Sequence, residues 1–507
     1  MLCGGGGLCQ ARERPQFCLV SSVRVSTLQY MHPAKSKADA ARLICAALMW
    51  VLALFAAGGL LHAAWCAFTW RNFHFLDYGG YTNMIWNTGH GAPFRVLMDR
   101  SYLEMHLSFT LVLLGPLFRI WDHPFLLALV QWLMLLTGAI ILAVTAFRAG
   151  LRWETVPAVA VFFVGYPFTQ STMLAEFHGV SFYFLLVPWL YAALRSGSGG
   201  AWIPLCLLLG VREDAFLAAV PITGYFAIKQ KSTPSAIMAG LSLIYGLAAV
   251  FVLFPLINGV SLLEFRSGWI PGTSRSLLPE GVSTLWPRFR SLALVVLPCA
   301  PFLLRRGWVP VVSLAGVPLL AALCGTAPHQ HGLKLHYPAA VMACLGVAIV
   351  EACSVRESRR ERGALRAALP WQALYLIFVT IIMHLRLGFL PGGGQRTRVY
   401  AGVDPDGLRL LQAARHIPDR GTLICRENLS SFCANRGDLQ VWELFEPGKH
   451  KFDLVFATLD ELRGPGGGRL GKLLSDGTFG VRYFDGTAIV LQRGYDTGRN
   501  GEVLIGS

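Results

Sequence analysis

The stretch LLLGVREDAFLAAV, residues 207–220, sets three consecutive charges inside apolar sequence. Arg212, Glu213 and Asp214 interrupt residues 201–228, a run otherwise suited to two short helices. A charge at membrane depth costs roughly 2.5–3.5 kcal/mol on insertion scales, so such groups face a cavity or one another. The run therefore reads as a hairpin with the charged triplet at its tip. Composition agrees with lipid as the main solvent. Of 507 residues 54% are hydrophobic and 14% charged, against about 25% charged in soluble domains. The net charge of +15 comes from 44 basic and 29 acidic residues. No zinc-finger spacing and no basic-aromatic stripe accompanies it, which argues against nucleic acid.

A spanning helix needs roughly 20 mostly apolar residues. Residues 41–63, 124–147, 154–174, 234–258, 308–326, 337–355 and 369–391 meet that pattern, and 180–194 and 289–304 are shorter candidates. Residues 106–121, with Gly115-Pro116, suit an interfacial or re-entrant helix. Basic clusters at 12–42, 148/152, 195, 229/231, 305/306 and 356–366 all fall on one side if the N-terminus is cytoplasmic and the hairpin counts as two crossings. The positive-inside rule makes that side the cytoplasm. The expectation is a mostly α, polytopic bundle of about 11 crossings over 41–391, with the C-terminus outside. Residues 1–40 read as a cytoplasmic tail without an apolar h-region, so a cleaved signal peptide is not expected. Met31 stands as a natural start just before the first span.

Residues 392–507 read as a small extracytoplasmic α/β domain. Asp404-Pro405 supplies an N-cap and first-turn proline for a helix through LRLLQAARHI. GTLIC, DLQVW, DLVFA, FGVRYF and AIVLQ read as strands, and ENLSSFCANR as a helix between the first two. Seven of the twelve cysteines lie in or beside apolar runs as small hydrophobes. Cys425 and Cys433 could pair if their region is outside the cell. GGGRLGKL, 466–473, carries Leu473 where a phosphate loop needs Ser or Thr, and is excluded as a nucleotide site.

The expected topology gathers ionisable residues on the outer side. Asp77, in HFLDYGGYTNMIWNTGHGAPF (74–94), could serve as a general base, or as a helix cap or a loop salt-bridge partner of Arg71 or Arg100. His106 opens an apolar segment with Glu104 and could bind phosphate, position a substrate or ligate a metal, or take a backbone partner. Glu176 and His178, in AEFHGVSF (175–182), lie at an outer turn and converge only if it is a loop. Glu213 and Asp214 could hold a divalent cation such as Mg or Mn through oxygen ligands, and Arg212 a phosphate. An internal ion pair locking the hairpin is the alternative. His331 and His336, in GTAPHQHGLKLHYPAAV (325–341), could contact a metal, phosphate or glycan, or be solvated.

DYGGYTNMIWNTG, HLSFTLVLLGPLF, the Phe177-His178 pair, the Arg212-Glu213-Asp214 triplet and LHYPA, in that order, resemble the prokaryotic membrane proteins grouped as domain of unknown function 2079. The resemblance spans about residues 41–495, with Arg212 where the family more often has Lys. It implies a GT-C-like fold and an inverting glycosyltransferase of the plasma membrane. A polyprenyl-phosphate-linked sugar would be the donor and an envelope glycan, lipid or protein the acceptor. By position Asp77 matches the acid of the first outer loop, though Tyr78 and Gly79 follow it where many relatives carry a second acid. A transporter of a lipid, ion or small solute is the alternative, although the chain shows one broken segment rather than the matched pair of an inverted repeat. A non-catalytic assembly protein is the third reading.

Overall fold

A computed structural model describes residues 37–262, 264, 285–303, 307–325, 328–360, 371–395, 402–445, 451–463 and 467–505. The chain divides into two compact units, Met1–Ile44 and Cys45–Ser507. Most of the expected N-terminal tail, the pair Arg305/Arg306 and the basic residues 361–366 lie outside the described residues.

Among the described residues, three helices are long and apolar enough to cross a membrane: Ala40–Thr69, Leu126–Arg148 and Thr233–Asn258. Shorter apolar helices include Gly179–Arg195, Trp308–Cys324, Ala339–Val355 and Trp371–Leu387. The expected 154–174 span is two helices, Thr155–Gly165 and Pro167–Leu174. Pro167 has no N–H to donate and forces Tyr166 into extended backbone, ψ 139°. The hairpin is present as Trp202–Leu209 and Phe216–Gln230, with the charged triplet in the turn between them.

The bundle packs through small residues. A Cβ on Gly138 would collide with the Phe184 carbonyl, so glycine is what lets helix Leu126–Arg148 lie against Tyr183–Arg195. Within this bundle Glu351 is fully buried and binds Arg195, Lys229, Tyr191 and Tyr225. Three helices thus meet on one carboxylate, which lies on helix Ala339–Arg360 roughly 18 Å from the start of that helix at a 1.5 Å rise per residue.

The C-terminal region is a five-stranded sheet, following a small hairpin earlier in the chain of β1 (Arg95–Val96) and β2 (Arg100–Ser101). The five strands are β3 (Leu423–Cys425), β4 (Leu439–Val441), β5 (Leu454–Thr458), β6 (Phe479–Phe484) and β7 (Ala488–Arg493). Their order is β4-β3-β5-β7-β6, with β3 parallel to β4 and β5, and β7 antiparallel to β5 and β6. All five match the strands expected from sequence. Both faces are buried, as the near-continuous apolar runs require. Leu423, Cys425, Leu454, Phe456 and Val490 join the core of the helical bundle. Their alternates Ile424, Val455, Ala457 and Ile489 join a second core with Leu462, Leu470 and Leu474. Asp404 caps helix Pro405–Ala414 by accepting the Asp406 N–H at 3.2 Å. ENLSSFCANR forms only the 3-10 turn Glu427–Phe432.

Candidate functional site

Helix Lys37–Thr69 gives way to a reversal at Arg71, φ 58°, and then to a π-turn, Phe75–Gly79, that carries Asp77. Glu176 clasps this turn. Its Oε2 accepts the backbone N–H groups of His74 at 2.9 Å and Tyr78 at 3.1 Å, and its Oε1 lies 3.1 Å from His74 Nδ1. Glu176 has a left-handed φ of 68° and only 11% of its side chain is exposed. A non-glycine residue in that region is strained unless its surroundings fix it. Here the fixing group is Gln131, buried in helix Leu126–Arg148. Its amide N–H groups donate to the carbonyls of Met173 (3.2 Å) and Glu176 (3.1 Å), and its oxygen accepts from His178 N–H (3.2 Å) and the Ser181 hydroxyl. Burial first, and the Glu176 carboxylate second, raise Asp77 from 3.8 to about 7. The hydrogen bond to Glu176 raises His74 as well.

The C-terminal region forms the other wall of this turn. A Cβ on Gly79 would stand 2.5 Å from Ser430 Oγ. The Phe68 and Phe432 rings pack with centroids 4.9 Å apart. Asn83, in the helix after the turn, donates to the carbonyls of Ala434 (3.1 Å) and Arg436 (2.6 Å).

A second group surrounds the hairpin tip. Glu213 is fully buried. Its Oε1 lies 3.2 Å from His106 Nδ1 and 3.5 Å from Arg212 Nε, and its Oε2 accepts the Leu107 N–H at 3.2 Å. Asp214 pairs with Arg212 at 3.3 Å. His178 stacks on His336 with ring centroids 3.7 Å apart, and the Tyr81 hydroxyl lies 3.3 Å from His178 Nδ1. Burial, then the Arg212 charge, lowers His336 to about 3, and His178 is lowered mainly by burial, so both imidazoles are neutral. The Tyr81 and Tyr102 rings pack with centroids 5.0 Å apart, and the Tyr102 ring centroid lies 6.4 Å from that of His106. The donor set does not fit a divalent cation. Both Glu213 oxygens are engaged, Asp214 is paired with Arg212, and among the described residues no three His, Cys, Asp or Glu groups could hold a metal ion.

Two cavities border these groups. The larger, about 860 Å³, has apolar walls that include Ala63, Ala67, Phe168, Leu174, Leu294 and Phe389. Arg290, His329, His331 and Lys334 line it too, and it reaches Asn72 and Ala175, which flank the Asp77 turn and Glu176 in sequence. The smaller, about 210 Å³, is lined by Arg212, Asp214, Gln330, His336 and Tyr337 among others.

The candidate residues thus fall into three places. Asp77 and Glu176 share one turn; His106, His178, Arg212, Glu213, Asp214 and His336 share the hairpin network; His331 faces the large cavity, with its Nδ1 3.2 Å from the Gly325 carbonyl. Sequence reasoning missed Gln131, His74, Tyr81, Tyr102 and Arg290. Gln131 had a usable signal, being a polar side chain inside an apolar span.

A family model described as a predicted membrane protein, DUF2079, matches residues 72–444. No curated protein matches the chain. Among solved structures, ArnT from Cupriavidus metallidurans bound to undecaprenyl phosphate is similar at 12% identity and a TM-score of 0.50, covering 88% of this chain and 98% of that one. The apo state of the same protein gives 13% identity, 87% and 97% coverage and a TM-score of 0.45. The first likeness shows the fold: the GT-C-like helical bundle with a small C-terminal sheet region that the sequence leads one to expect.

Proposed function

The chain belongs to the DUF2079 family of predicted membrane proteins, and from that footing we propose that it is an inverting glycosyltransferase of the GT-C type. It would move a sugar from a polyprenyl-phosphate donor to an envelope acceptor on the outer face of a prokaryotic plasma membrane. The observation that carries this reading is a carboxyl with its pKa raised to about 7, clamped by Glu176 in a turn that follows Asn72, a lining residue of a large cavity with apolar walls and basic side chains. Apolar walls with a few placed polar groups are the usual build of a lipid or cofactor site. The fold shared with ArnT, whose structure was solved with undecaprenyl phosphate, supports the same donor class.

In the proposed reaction the isoprenoid tail lies in the large cavity. Arg290, Lys334, His329 and His331 meet its phosphate, and a guanidinium can do so bidentately. The sugar is directed to the polar network of Arg212, His106, His178 and His336. Asp77 accepts the acceptor hydroxyl proton as that oxygen bonds to the anomeric carbon from the face opposite the phosphate. The carbon–oxygen bond to phosphate breaks, and polyprenyl phosphate leaves with the electron pair. Its charge is met by the basic groups, and such electrostatic stabilisation is often the largest catalytic contribution.

The test compares envelope glycans and polyprenyl-phosphate sugars by mass spectrometry in a deletion strain and in the strain rescued by wild type. One glycan should lose a sugar while its lipid-linked donor accumulates. Unchanged glycans and donors, under conditions where the protein is made, would reject transfer and favour transport of a lipid or solute.

Glu176 is proposed as the residue that positions and tunes Asp77. In Glu176→Gln the amide oxygen still accepts from the turn, but the negative charge that raises Asp77 is gone. The acid limb of the pH–rate profile should therefore move below 7, towards the ordinary carboxylate range, with a smaller loss of kcat than at Asp77. An unmoved limb would remove Glu176 from this role.

A further inference from the structure

Cys425 ends β3 and Cys433 follows the 3-10 turn Glu427–Phe432, which folds the chain back so that the two sulfurs stand 3.8 Å apart. Both are buried, with 0% and 5% exposure. Cys433 also points its thiol at the Leu429 carbonyl, 3.6 Å away, so the pair is held within the turn it brackets. The other described cysteines belong to the helical bundle: Cys45, Cys66, Cys206, Cys299, Cys324, Cys344 and Cys353 lie in or beside its apolar helices. Closing the pair to a bonded distance of about 2.05 Å needs a shift of under roughly 2 Å, within one short turn.

We infer that Cys425 and Cys433 form a disulfide in the mature protein, and that it staples the segment on which the Asp77 turn rests. Ser430, which faces Gly79, and Phe432, which packs on Phe68, both lie between the two cysteines. Ala434 and Arg436, whose carbonyls hold Asn83, follow directly. The inference rests on the proposed placement of the C-terminal region outside the cell, where disulfides persist. The two thiols would lose two protons and two electrons to the disulfide of an oxidising thiol–disulfide oxidoreductase of the envelope, through a mixed disulfide. That enzyme leaves as its dithiol. Burial of both sulfurs sets the exchange before docking of the turn is complete.

The full-length protein in native membranes would be denatured with N-ethylmaleimide present and digested with trypsin without reduction. Cleavage after Arg420, Arg426 and Arg436 separates the cysteines into residues 421–426 and 427–436, so only a disulfide can keep them together. Recovery of the linked pair, resolved into two peptides by reductant, is the expected result. Recovery of both peptides separately, each carrying the maleimide, would overturn the inference. A full-length Ser475→Cys variant, labelled in intact cells with a membrane-impermeant maleimide against the wild-type background, reports placement independently. Labelled Ser475→Cys with separate peptides rejects the disulfide and leaves the placement standing. Labelling only after lysis, with separate peptides, rejects both.

Discussion

Replacing Asp77 with Asn is expected to lower sugar transfer by roughly 10²–10⁴-fold, the range supplied by a general base, without loss of folded protein. Only the deprotonated carboxylate can take the acceptor proton. The wild-type rate should therefore rise with pH through about 7 and level off above it. The residual rate of Asp77→Asn should lack this limb. The stability effect runs the opposite way. A carboxyl raised from 3.8 to about 7 stabilises the fold in its protonated form. That contribution is full below the unfolded value and is lost as pH rises through about 7. Asparagine imitates the protonated form, so the thermal midpoint of the variant at pH 8 should equal or exceed that of wild type. A pH–rate profile and a thermal scan on the same purified samples check both halves. Wild-type turnover in a well-folded Asp77→Asn protein would remove Asp77 as the base. A variant that fails to fold would instead make Asp77 a structural cap of the π-turn.

What the sequence makes legible follows the range over which each signal acts. The five strands were readable because each is a local run of β-branched and aromatic residues bounded by turn formers. The hairpin around Arg212 was readable because charges inside apolar sequence are expensive. The break at Tyr166 lies in the sequence as Pro167, but the run of apolar residues around it outweighs one proline in a window average. The site was legible only in part, for a different reason. Asp77 and Glu176 are 99 positions apart, and nothing local says that Glu176 will cap the backbone of His74 and Tyr78. Glu351 is the clearest case, since its partners come from two other helices and no one segment announces the cluster. The same limit explains Arg290, which reads as an ordinary flanking charge until the bundle folds it against the large cavity.

Glu213→Gln should divide structure from chemistry at the hairpin tip. Glu213 is fully buried and holds His106, the Leu107 N–H and Arg212 at once. Removing one charge of a buried ion pair typically costs about 3–5 kcal/mol, because the partner is left uncompensated. Glutamine keeps an acceptor for Leu107 but leaves the Arg212 charge with Asp214 alone at 3.3 Å. The expected result is a marked fall in the thermal midpoint of the detergent-solubilised protein, with activity lost in proportion to folded protein. If the uncompensated cation is the cause, Glu213→Gln combined with Arg212→Met should recover part of the midpoint, since coupled neighbours do not add. A direct role in chemistry predicts the reverse pattern. In that case Glu213→Gln would melt like wild type and still lose transfer, and the double variant would restore nothing. Cation binding makes a third, separable prediction: Mg or Mn would raise the midpoint of wild type but not of Glu213→Gln. The engagement of both Glu213 oxygens by protein groups argues for the first pattern, in which Glu213 holds the hairpin tip against the His106–Leu107 segment.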